Sequence, residues 1–270
     1  MSELQVGKGR SSKPKEFSRS LQVGLVIPQM FSARRPVLGT RDIAEIASAA
    51  RSTMHRYAST LARLGVLERN GNHKYRLSSR AADPGLSLIG TMRKALPVAA
   101  VLQELQEQTR YTVGLGVLTG THVIYLYRLR GHRPGQYAID DGIGVGIHIP
   151  AYGTAVGKAI LASLPDAARR RIVAELNFVP YGPRSVLNAV DLLAELERLD
   201  YREPVVCDEE FVVGARSIAM YVPRSSEERP IAVDVTVPSA VMTASELLKQ
   251  VGPSLRSAAS VISQTRADDR

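Results

Sequence analysis

The sequence predicts a chain of mixed α-helix and β-strand in two domains, a small basic one and a larger, near-neutral one behind it. Its 270 residues are more than one hydrophobic core usually serves. The first 80 residues carry 15 Lys and Arg against 5 Asp and Glu, whereas the rest carry 20 against 21. Because a solvated surface would spread its charges, this asymmetry predicts a nucleic-acid-binding module joined to a domain with another task.

The composition excludes several classes of protein. Apolar runs such as Leu96–Leu102 are far too short to span a bilayer, and the polar first 15 residues lack the apolar segment of a secretory signal. The single cysteine, Cys207, excludes an internal disulfide framework and a metal site built from cysteines. His122, His132 and His148 do not have the spacing of metal ligands. We therefore expect a cytoplasmic protein without a metal or a cofactor.

The first helix is predicted to follow a disordered basic arm, residues 1–16, which either touches phosphates or is a flexible tail. Ser18 or Ser20 would cap this helix. Pro28 should kink or shorten it, because proline removes a backbone bond to the carbonyl of Gly24. The apolar spacing predicts the following inward face: Leu21, Leu25, Val26, Met30 and Phe31.

A helix-turn-helix is predicted next. Thr40–Ala47 forms a short helix whose buried side carries Ile43, Ala44 and Ala47, and a third helix runs from Arg51 to about Leu64. Only three residues, Ser48 to Ala50, separate the two helices. Two helices joined by so tight a turn are typical of DNA-reading proteins.

The third helix has two distinct faces. An apolar stripe points inward, and the opposite face carries hydroxyl, imidazole and guanidinium groups. Arg pairs with guanine edges, and Ser or Thr at a helix start holds phosphates. A solvated amphipathic helix would have the same pattern, so the face alone leaves both interpretations open. The inward stripe consists of Met54, Tyr57, Ala58 and Leu61. The candidate DNA contacts are Arg41, Arg51, Ser52, Thr53, His55, Arg56, Ser59, Arg63 and Lys74.

A β-hairpin after the third helix favours the DNA-reading interpretation. Gly65–Arg69 and Lys74–Leu77 are predicted strands, and the Asn70-Gly71 pair between them is a strong hairpin signal. Helix, turn, helix and hairpin in this order make a winged helix-turn-helix over residues 17–80, with double-stranded DNA as its partner. His73 and Lys74 would lie at or near the tip of the wing.

The remaining chain predicts linker helices over residues 81–110 and an α/β sensor domain over residues 111–270. Asp83-Pro84-Gly85 should break the pattern after the wing. Helices are predicted at Leu86–Met92, Val98–Thr109, Thr154–Leu164, Asp166–Leu176 and Asn188–Asp200. Strands are predicted at Tyr111–Leu118, Val123–Arg130, near Gly135–Ile139, and at Gly146–Ile149, Ala215–Val222 and Pro230–Val237. A final helix, opened by a Thr243–Glu246 capping box, should bury Leu248, Val251, Leu255, Ala258 and Ile262.

Several segments resemble the isocitrate-lyase-regulator (IclR) family of transcription regulators. The resemblance covers roughly residues 17–265 and implies a GAF-like effector-binding domain and a linker that pairs subunits, as a homodimer or a tetramer of two dimers. The chain departs from the family pattern at Ala47 and Ser48, where the family usually has Leu and then Gly. The segments similar to the family's DNA-binding domain are Arg51–Arg56, Thr60–Gly65 and Lys74–Leu77. The segments similar to the signatures of its effector-binding domain are Ile149–Ala159, Asp208–Ala219 and Ala232–Pro238.

The resemblance also implies an effector pocket. Carried over residue by residue, the pocket contains Ala155, Cys207, Ser217, Asp234 and Thr236. Cys207 replaces an acidic residue of a relative, so the effector should differ from that of the relative. Ser217 and Thr236 are equally compatible with hydroxyls satisfied in the core, whereas a carboxylate on a buried strand, as at Asp234, needs a partner. Arg216–Ala219 and Pro150–Tyr152 resemble the branch that governs the breakdown of aromatic acids.

Two other classes of protein fit the sequence less well. A metabolic enzyme is disfavoured because the glycines of Asp140–Gly146 lack a dinucleotide-binding context and Cys207 has no adjacent base; Lys158 is interpreted as a structural or phosphate-like charge. A nucleoid-type protein that senses nothing would hardly need 190 near-neutral residues of mixed structure. The sequence therefore predicts a sequence-specific transcription regulator, not an enzyme, whose operator affinity responds to a small organic acid.

Overall fold

The computed structural model describes residues 18–32, 35–94, 98–131, 142–223 and 229–264. The basic arm and the strand predicted near Gly135–Ile139 lie outside these residues. The chain divides into two compact units, residues 1–88 and 89–270. Within the described ranges, each helix is too short or too polar to cross a membrane.

The first helix, α1, spans Arg19–Val26 and is capped by Ser18, whose hydroxyl accepts a hydrogen bond from the Leu21 backbone at 3.3 Å. The chain then tightens into a 3-10 turn at Ile27–Met30, with Pro28 in its first positions. The prediction that Pro28 shortens the helix is therefore confirmed.

The predicted inward face of α1 is wrong in part. Leu21 and Leu25 are 64% and 62% exposed, whereas Val23 and Ile27 are buried. Both pairs have the i, i+4 spacing of one helical face, so periodicity alone could not choose between them. Met30 and Phe31 are buried, as predicted.

The helix-turn-helix forms where the sequence predicts it, with α2 at Thr40–Ile46 and α3 at Arg51–Arg63. The predicted inward residues of α2, including Ala47 just after its end, are buried. Met54 and Ala58 of α3 are buried against them, and Tyr57 and Leu61 pack at the border of the same core. Ser48 in the turn has a left-handed backbone, with φ 48°.

The wing is a three-stranded antiparallel sheet of β1 (Val37–Gly39), β2 (Leu67–Arg69) and β3 (Lys74–Leu77), in the order β1-β3-β2 among the described residues. The hairpin of β2 and β3 agrees with the prediction. Strand β1 was not predicted, because three residues carry too little alternation to be recognised and β1 depends on pairing with distant residues such as Tyr75.

The segment after the wing differs from the prediction. After a 3-10 turn at Ser79–Ala82, helix α4 begins at Asp83 and continues to Lys94, so Asp83-Pro84-Gly85 does not break the pattern. Proline is tolerated in the first turn of a helix, where its missing N–H would have no intrahelical acceptor. Helix α5 spans Ala99–Thr109, and its Leu102 and Leu105 belong to the core of the second unit.

In the described part of the second unit, six strands form one antiparallel sheet in the order β6-β5-β4-β9-β8-β7. Strand β7 was not predicted, because four residues beside a turn give a weak signal. The strands are β4 (Thr112–Thr119), β5 (His122–Leu129), β6 (His148–Pro150), β7 (Val205–Asp208), β8 (Ala215–Val222) and β9 (Ile231–Pro238).

Helices cover both faces of this sheet. Helix α5 and the C-terminal helices α9 (Ala244–Gln250) and α10 (Gly252–Gln264) share one hydrophobic core with it. On the other face lie α6 (Ala155–Ser163), α7 (Asp166–Ala174) and α8 (Ala189–Arg198). Val233 and Val235 of β9 face the first core, so Asp234 between them faces the second, as strand alternation requires.

The C-terminal end of the chain forms two helices where one was predicted. The Thr243–Glu246 capping box is present, and Val251, Leu255, Ala258 and Ile262 are buried as predicted. The inclusion of Leu248 was wrong, because it is 41% exposed and its neighbour Leu247 is buried instead. The predicted stripe counts three residues back from Val251, whereas the buried leucine lies four residues before it; both spacings fit one helical face, so periodicity could not choose between them. The second of the two helices begins at Gly252.

We predict that Ser48→Gly stabilises the N-terminal unit by about 0.5–1 kcal/mol, because a left-handed backbone strains any residue with a Cβ while glycine adopts it freely. The free energy of unfolding, measured by urea titration of the full chain, tests this. Ser20→Gly within α1 is the matched control and should destabilise the same unit, since glycine is a poor helix former. A loss of stability for Ser48→Gly would show that the turn is not strained.

Candidate functional sites

The outer face of α3 presents a basic stripe to solvent. Arg51, Ser52, His55, Arg56 and Arg63 are exposed. In the part of the chain that the structure describes, no carboxylate pairs with any of these three arginines. The guanidinium groups therefore keep their full hydrogen-bonding capacity for a partner.

The wing tip lies beside this stripe. The rings of His55 on α3 and His73 in the hairpin turn are 5.4 Å apart between centroids, and Lys74 next to His73 is exposed. The backbone carbonyl of His73 accepts hydrogen bonds from the Thr40 N–H at 3.0 Å and the Thr40 hydroxyl at 3.3 Å. The start of α2 thereby fixes the wing tip, a function of the buried Thr40 that sequence reasoning missed.

Three predicted contacts differ from the rest of the stripe. The hydroxyl of Ser59 is half-buried and lies 3.3 Å from that of Tyr75 on β3. Thr53 is also half-buried, and Arg41 is exposed but pairs with Glu45 one helical turn away at 3.0 Å. Among the exposed members of the predicted set, Arg41 alone forms an ion pair or a side-chain hydrogen bond within the described chain.

A small cavity of about 40 Å³ lies in the second unit, between the sheet, the start of α6 and the β7–β8 loop. Four of the five predicted effector residues line it: Cys207, Ser217, Asp234 and Thr236. Ala155 does not, since it is buried in the first turn of α6, and the preceding Gly153 and Thr154 face the cavity instead.

Strand register explains why these residues meet. Ser217 on β8 pairs with Cys207 on β7 and with Thr236 on β9, so the three side chains form one row on the same face. Asp234 lies two residues from Thr236 on the same strand and therefore on the same face. The sheet places side by side residues that are 29 positions apart in the sequence, from 207 to 236.

The partner of the buried Asp234 is Arg128 on β5, which sequence reasoning missed. Arg128 Nη1 lies 3.1 Å from Asp234 Oδ2, and both side chains are at most 3% exposed. The same Oδ2 accepts hydrogen bonds from the Tyr125 and Thr236 hydroxyls, each at 3.1 Å. Oδ1 accepts none from the described residues. Burial raises the pKa of Asp234, although Arg128 and the two hydroxyls oppose that rise.

Gly114 on β4 makes the Arg128–Asp234 pair possible. It lies between them in the sheet, opposite Arg128 on one side and Asp234 on the other. A Cβ at this position would overlap Asp234 Oδ1 and the Tyr125 ring. The glycine thus provides the space in which the two charged groups meet over the β4 backbone.

The N-terminus of α6 lies beside the cavity, which Gly153 and Thr154 line. Thr154 caps the helix, with its hydroxyl accepting a hydrogen bond from the Gly157 N–H at 3.1 Å. The first N–H groups of a helix have no acceptor within it, and the helix dipole favours negative charge there. Gly157 has no room for a side chain, because a Cβ would overlap the Ala151 carbonyl.

A second buried charge cluster borders the cavity. Lys158 Nζ lies 2.6 Å from Glu210 Oε2 and 2.5 Å from Glu195 Oε1, and its side chain is 1% exposed. Burial alone would lower the pKa of Lys158, but the neighbouring Cys207, Glu210 and Glu195 outweigh it and raise the pKa. The ammonium group therefore stays charged, which agrees with the structural alternative for Lys158.

The β7–β8 loop closes one side of the cavity with Glu210, Phe211 and Val212. Its ends are joined by an ion pair across the hairpin, from Arg216 Nε to Asp208 Oδ1 at 2.7 Å. The Arg216 guanidinium also donates to the carbonyls of Ser239 and Met242. The second signature therefore forms a rigid frame around a short loop.

A winged helix-turn-helix followed by a domain with a partly open cavity, lined by charged, polar and apolar side chains, is the architecture of a DNA-binding transcription regulator with a separate effector-binding domain. The model of the IclR helix-turn-helix domain matches residues 20–71, and that of the bacterial transcriptional regulator IclR C-terminal domain matches residues 92–264. The chain belongs to the IclR family. The predicted resemblance and the predicted fold, a winged reader with a GAF-like domain, are confirmed.

Relatives support the same assignment. The chain is 31% identical to the probable transcriptional regulator SauR of Cupriavidus necator, over 88% of this chain and 93% of the relative. It is 25% identical to the Pca regulon regulatory protein of Pseudomonas putida, over 90% and 82%. The fold matches an IclR homologue from Microbacterium hydrocarbonoxydans crystallised with 4-hydroxybenzoate, with TM-score 0.72, 22% identity, and coverage of 92% and 99%.

We predict that Lys158→Met lowers the free energy of unfolding by about 3–5 kcal/mol, because it leaves a buried carboxylate without its partner. Urea unfolding of the full chain measures the loss. Lys158→Met/Glu210→Gln should recover part of it, since the more buried of the two carboxylates then carries no charge, while Glu195 is one-third exposed to solvent. Arg170→Ala, which breaks a solvent-exposed ion pair with Asp166, is the control and should change stability little. A Lys158→Met variant as stable as the wild type would contradict the structural role.

Proposed function

We propose that this chain binds specific operator sequences and that a small organic acid, bound in the C-terminal cavity, changes its operator affinity. The observation that carries the proposal is the combination, in one chain, of an exposed basic stripe whose arginines pair with no carboxylate of the described residues and a cavity lined by charged side chains in the other unit. We infer a regulator and not an enzyme. The named relatives are transcription regulators, and burial raises the pKa of the Cys207 thiol well above its ordinary value, which disfavours a thiolate nucleophile.

For the winged helix-turn-helix domain, we propose that α3 enters the major groove of double-stranded DNA. Arg51, Ser52, His55 and Arg56 lie in its first half, the part of a recognition helix that contacts base edges in this motif. Lys74 at the wing tip would contact the backbone. Arg41 and Ser59 would have to exchange their partners within the protein for DNA, so we assign them weaker contributions.

A single winged helix-turn-helix domain contacts too little DNA for useful specificity. We therefore propose that the functional unit is a homodimer, or a tetramer of two dimers, on a pseudo-palindromic site. Light scattering on the protein with and without operator DNA reports the number of chains. A monomer under both conditions would contradict this part of the proposal.

We predict that Arg56→Ala weakens binding to the operator by about 1–3 kcal/mol and leaves the fold intact, because bidentate contacts to base edges carry discrimination of that size. Gel-shift titration of the promoter DNA beside the chain's own gene provides the measurement. Arg171→Ala, an exposed arginine on α7, is the matched control. Unchanged operator affinity in Arg56→Ala would remove this side chain from base recognition.

For the sensor, we propose an effector with a carboxylate at one end and a hydroxyl at the other. Arg128 and the N-terminus of α6 favour the carboxylate, and the free Oδ1 of Asp234 with the hydroxyls of Ser217 and Thr236 suits a hydroxyl group. Ile143, Ile149, Phe211 and Val212 provide apolar walls for a ring. A homologue of this fold binds 4-hydroxybenzoate, which has these two ends.

The size of the cavity adds a condition. A volume of about 40 Å³ holds about one water molecule and falls far short of the roughly 300 Å³ of a small-molecule pocket. The effector must therefore open the cavity. The apolar side chains of the β7–β8 loop have fewer polar anchors than the sheet, so we propose that Phe211 and Val212 move when the effector enters.

We predict that hydroxylated aromatic acids raise the melting temperature of the wild-type protein and that the Ser217→Ala/Thr236→Val variant loses most of this rise. Thermal-shift measurements with 4-hydroxybenzoate, benzoate and succinate as probes separate the hydroxyl, the ring and the carboxylate contributions. Ser257→Ala on the exposed side of α10 is the control. Equal stabilisation of the double variant by every probe that binds would place the effector site elsewhere.

A further inference from the structure

An open groove of about 470 Å³ lies in the N-terminal unit. Ser59 and Arg63 are candidate DNA contacts named above, whereas its other lining residues are not. It runs between the C-terminal half of α3, strand β2 and the segment that follows β3. Three arginines line it, Arg63, Arg69 and Arg80, together with the hydroxyls of Ser59 and Ser79.

The groove carries a net positive charge. Its one carboxylate among the described lining residues, Glu68, is neutralised across the hairpin by Arg76 at 2.7 Å. Arg80 has only a distant exposed partner, Asp83, at 4.0 Å. Within the described ranges, Arg63 and Arg69 pair with no carboxylate. Several guanidinium groups without counter-charges favour an anionic ligand.

The floor of the groove is built to hold Arg80 in place. Gly65 has a left-handed backbone with φ 78°, and a Cβ there would lie 3.1 Å from Arg80 Nη1. The Arg80 side chain therefore lies across a backbone with no side chain of its own. The Ser78 hydroxyl donates to the Gly65 carbonyl and accepts from the Arg80 N–H at 3.1 Å, which fixes this segment against the end of α3.

The groove is continuous with the proposed DNA-binding surface. Ser59 and Arg63 continue the helical stripe of Ser52 and Arg56 toward the C-terminus of α3, because the spacings of three and four residues keep one face. On the opposite wall, Arg69 directly precedes the wing turn that begins at Asn70. We therefore expect a DNA strand that contacts both α3 and the wing tip to lie near Arg63 and Arg69.

We propose that this groove binds a phosphate of the DNA backbone, with Arg63 and Arg69 as its direct ligands and Arg80 as a third positive charge behind them. The planar guanidinium group binds phosphate oxygens in pairs, a geometry that two arginines on facing walls provide. The inference rests on the proposed DNA reading and adds Arg69 and Arg80, which that proposal does not use, to Arg63 of the basic stripe. The groove adds affinity that does not depend on base sequence.

Binding of the full chain to a labelled duplex of arbitrary sequence, followed by fluorescence anisotropy from about 50 to 200 mM salt, tests the proposal. Arg63→Ala and Arg69→Ala should each weaken binding about three- to tenfold and each reduce the slope of log affinity against log salt by about 1. Arg69→Lys should keep most of the slope, because it retains the charge. Arg171→Ala should change neither quantity.

The operator complex separates this proposal from the proposed function. Arg69→Ala should weaken operator and arbitrary DNA by the same factor, whereas Arg56→Ala should weaken the operator more. Unchanged salt slopes in both Arg63→Ala and Arg69→Ala, with Arg56→Ala still defective, would overturn the groove and leave the DNA-reading helix intact. A wild-type chain that binds neither duplex would overturn both.

Discussion

The burial of Asp234 is the constraint on which the C-terminal domain depends. A carboxylate that is 1% exposed is costly unless a cation and hydrogen-bond donors surround it. The sheet meets this requirement by placing β4 between β5 and β9, with Gly114 as the spacer across which Arg128 reaches the carboxylate. The buried charge of Asp234 is thus compensated by several features together: the strand order, Gly114 and the hydroxyls of Tyr125 and Thr236. The cavity forms beside this group.

The two units use positive charge in opposite ways. In the winged helix-turn-helix domain, arginines such as Arg56 and Arg69 are exposed. Salt therefore screens their interaction with an anion, and they contribute to DNA affinity through counterion release. In the sensor, Arg128 and Lys158 are buried against carboxylates, where screening is weak and removal of one partner leaves a costly charge. The first arrangement suits reversible binding to a polyanion, and the second fixes the residues of the sheet and of α6 beside the cavity.

Local patterns predicted much of this molecule, and long-range pairing explains what they missed. Some features depend only on residues close together in the sequence and could be predicted from it directly. They are the turn between α2 and α3, the wing hairpin and the capping box at Thr243. Strands β1 and β7 are short and exist through pairing with distant strands. Arg128 could not be found from spacing, since 106 residues separate it from Asp234; the signal was only that a buried carboxylate requires a cation. Of the five effector residues taken from family resemblance, the four on one face of the sheet line the cavity. Ala155 lies one position beyond Gly153 and Thr154, which line it instead.

The small volume of the cavity has an energetic consequence for the proposed sensing. An effector that must displace Phe211 and Val212 uses part of its contact energy to open the loop, and its observed affinity is lower by that amount. The ends of the loop are held by the Arg216–Asp208 pair, and Glu210 within it is tied to Lys158. Opening of the loop therefore takes one of two routes. It either moves only the residues after Glu210, or it breaks the buried ion pair between Glu210 and Lys158. The first route costs far less, because it leaves both ion pairs intact, so an effector that opens the loop this way would act against fixed anchors.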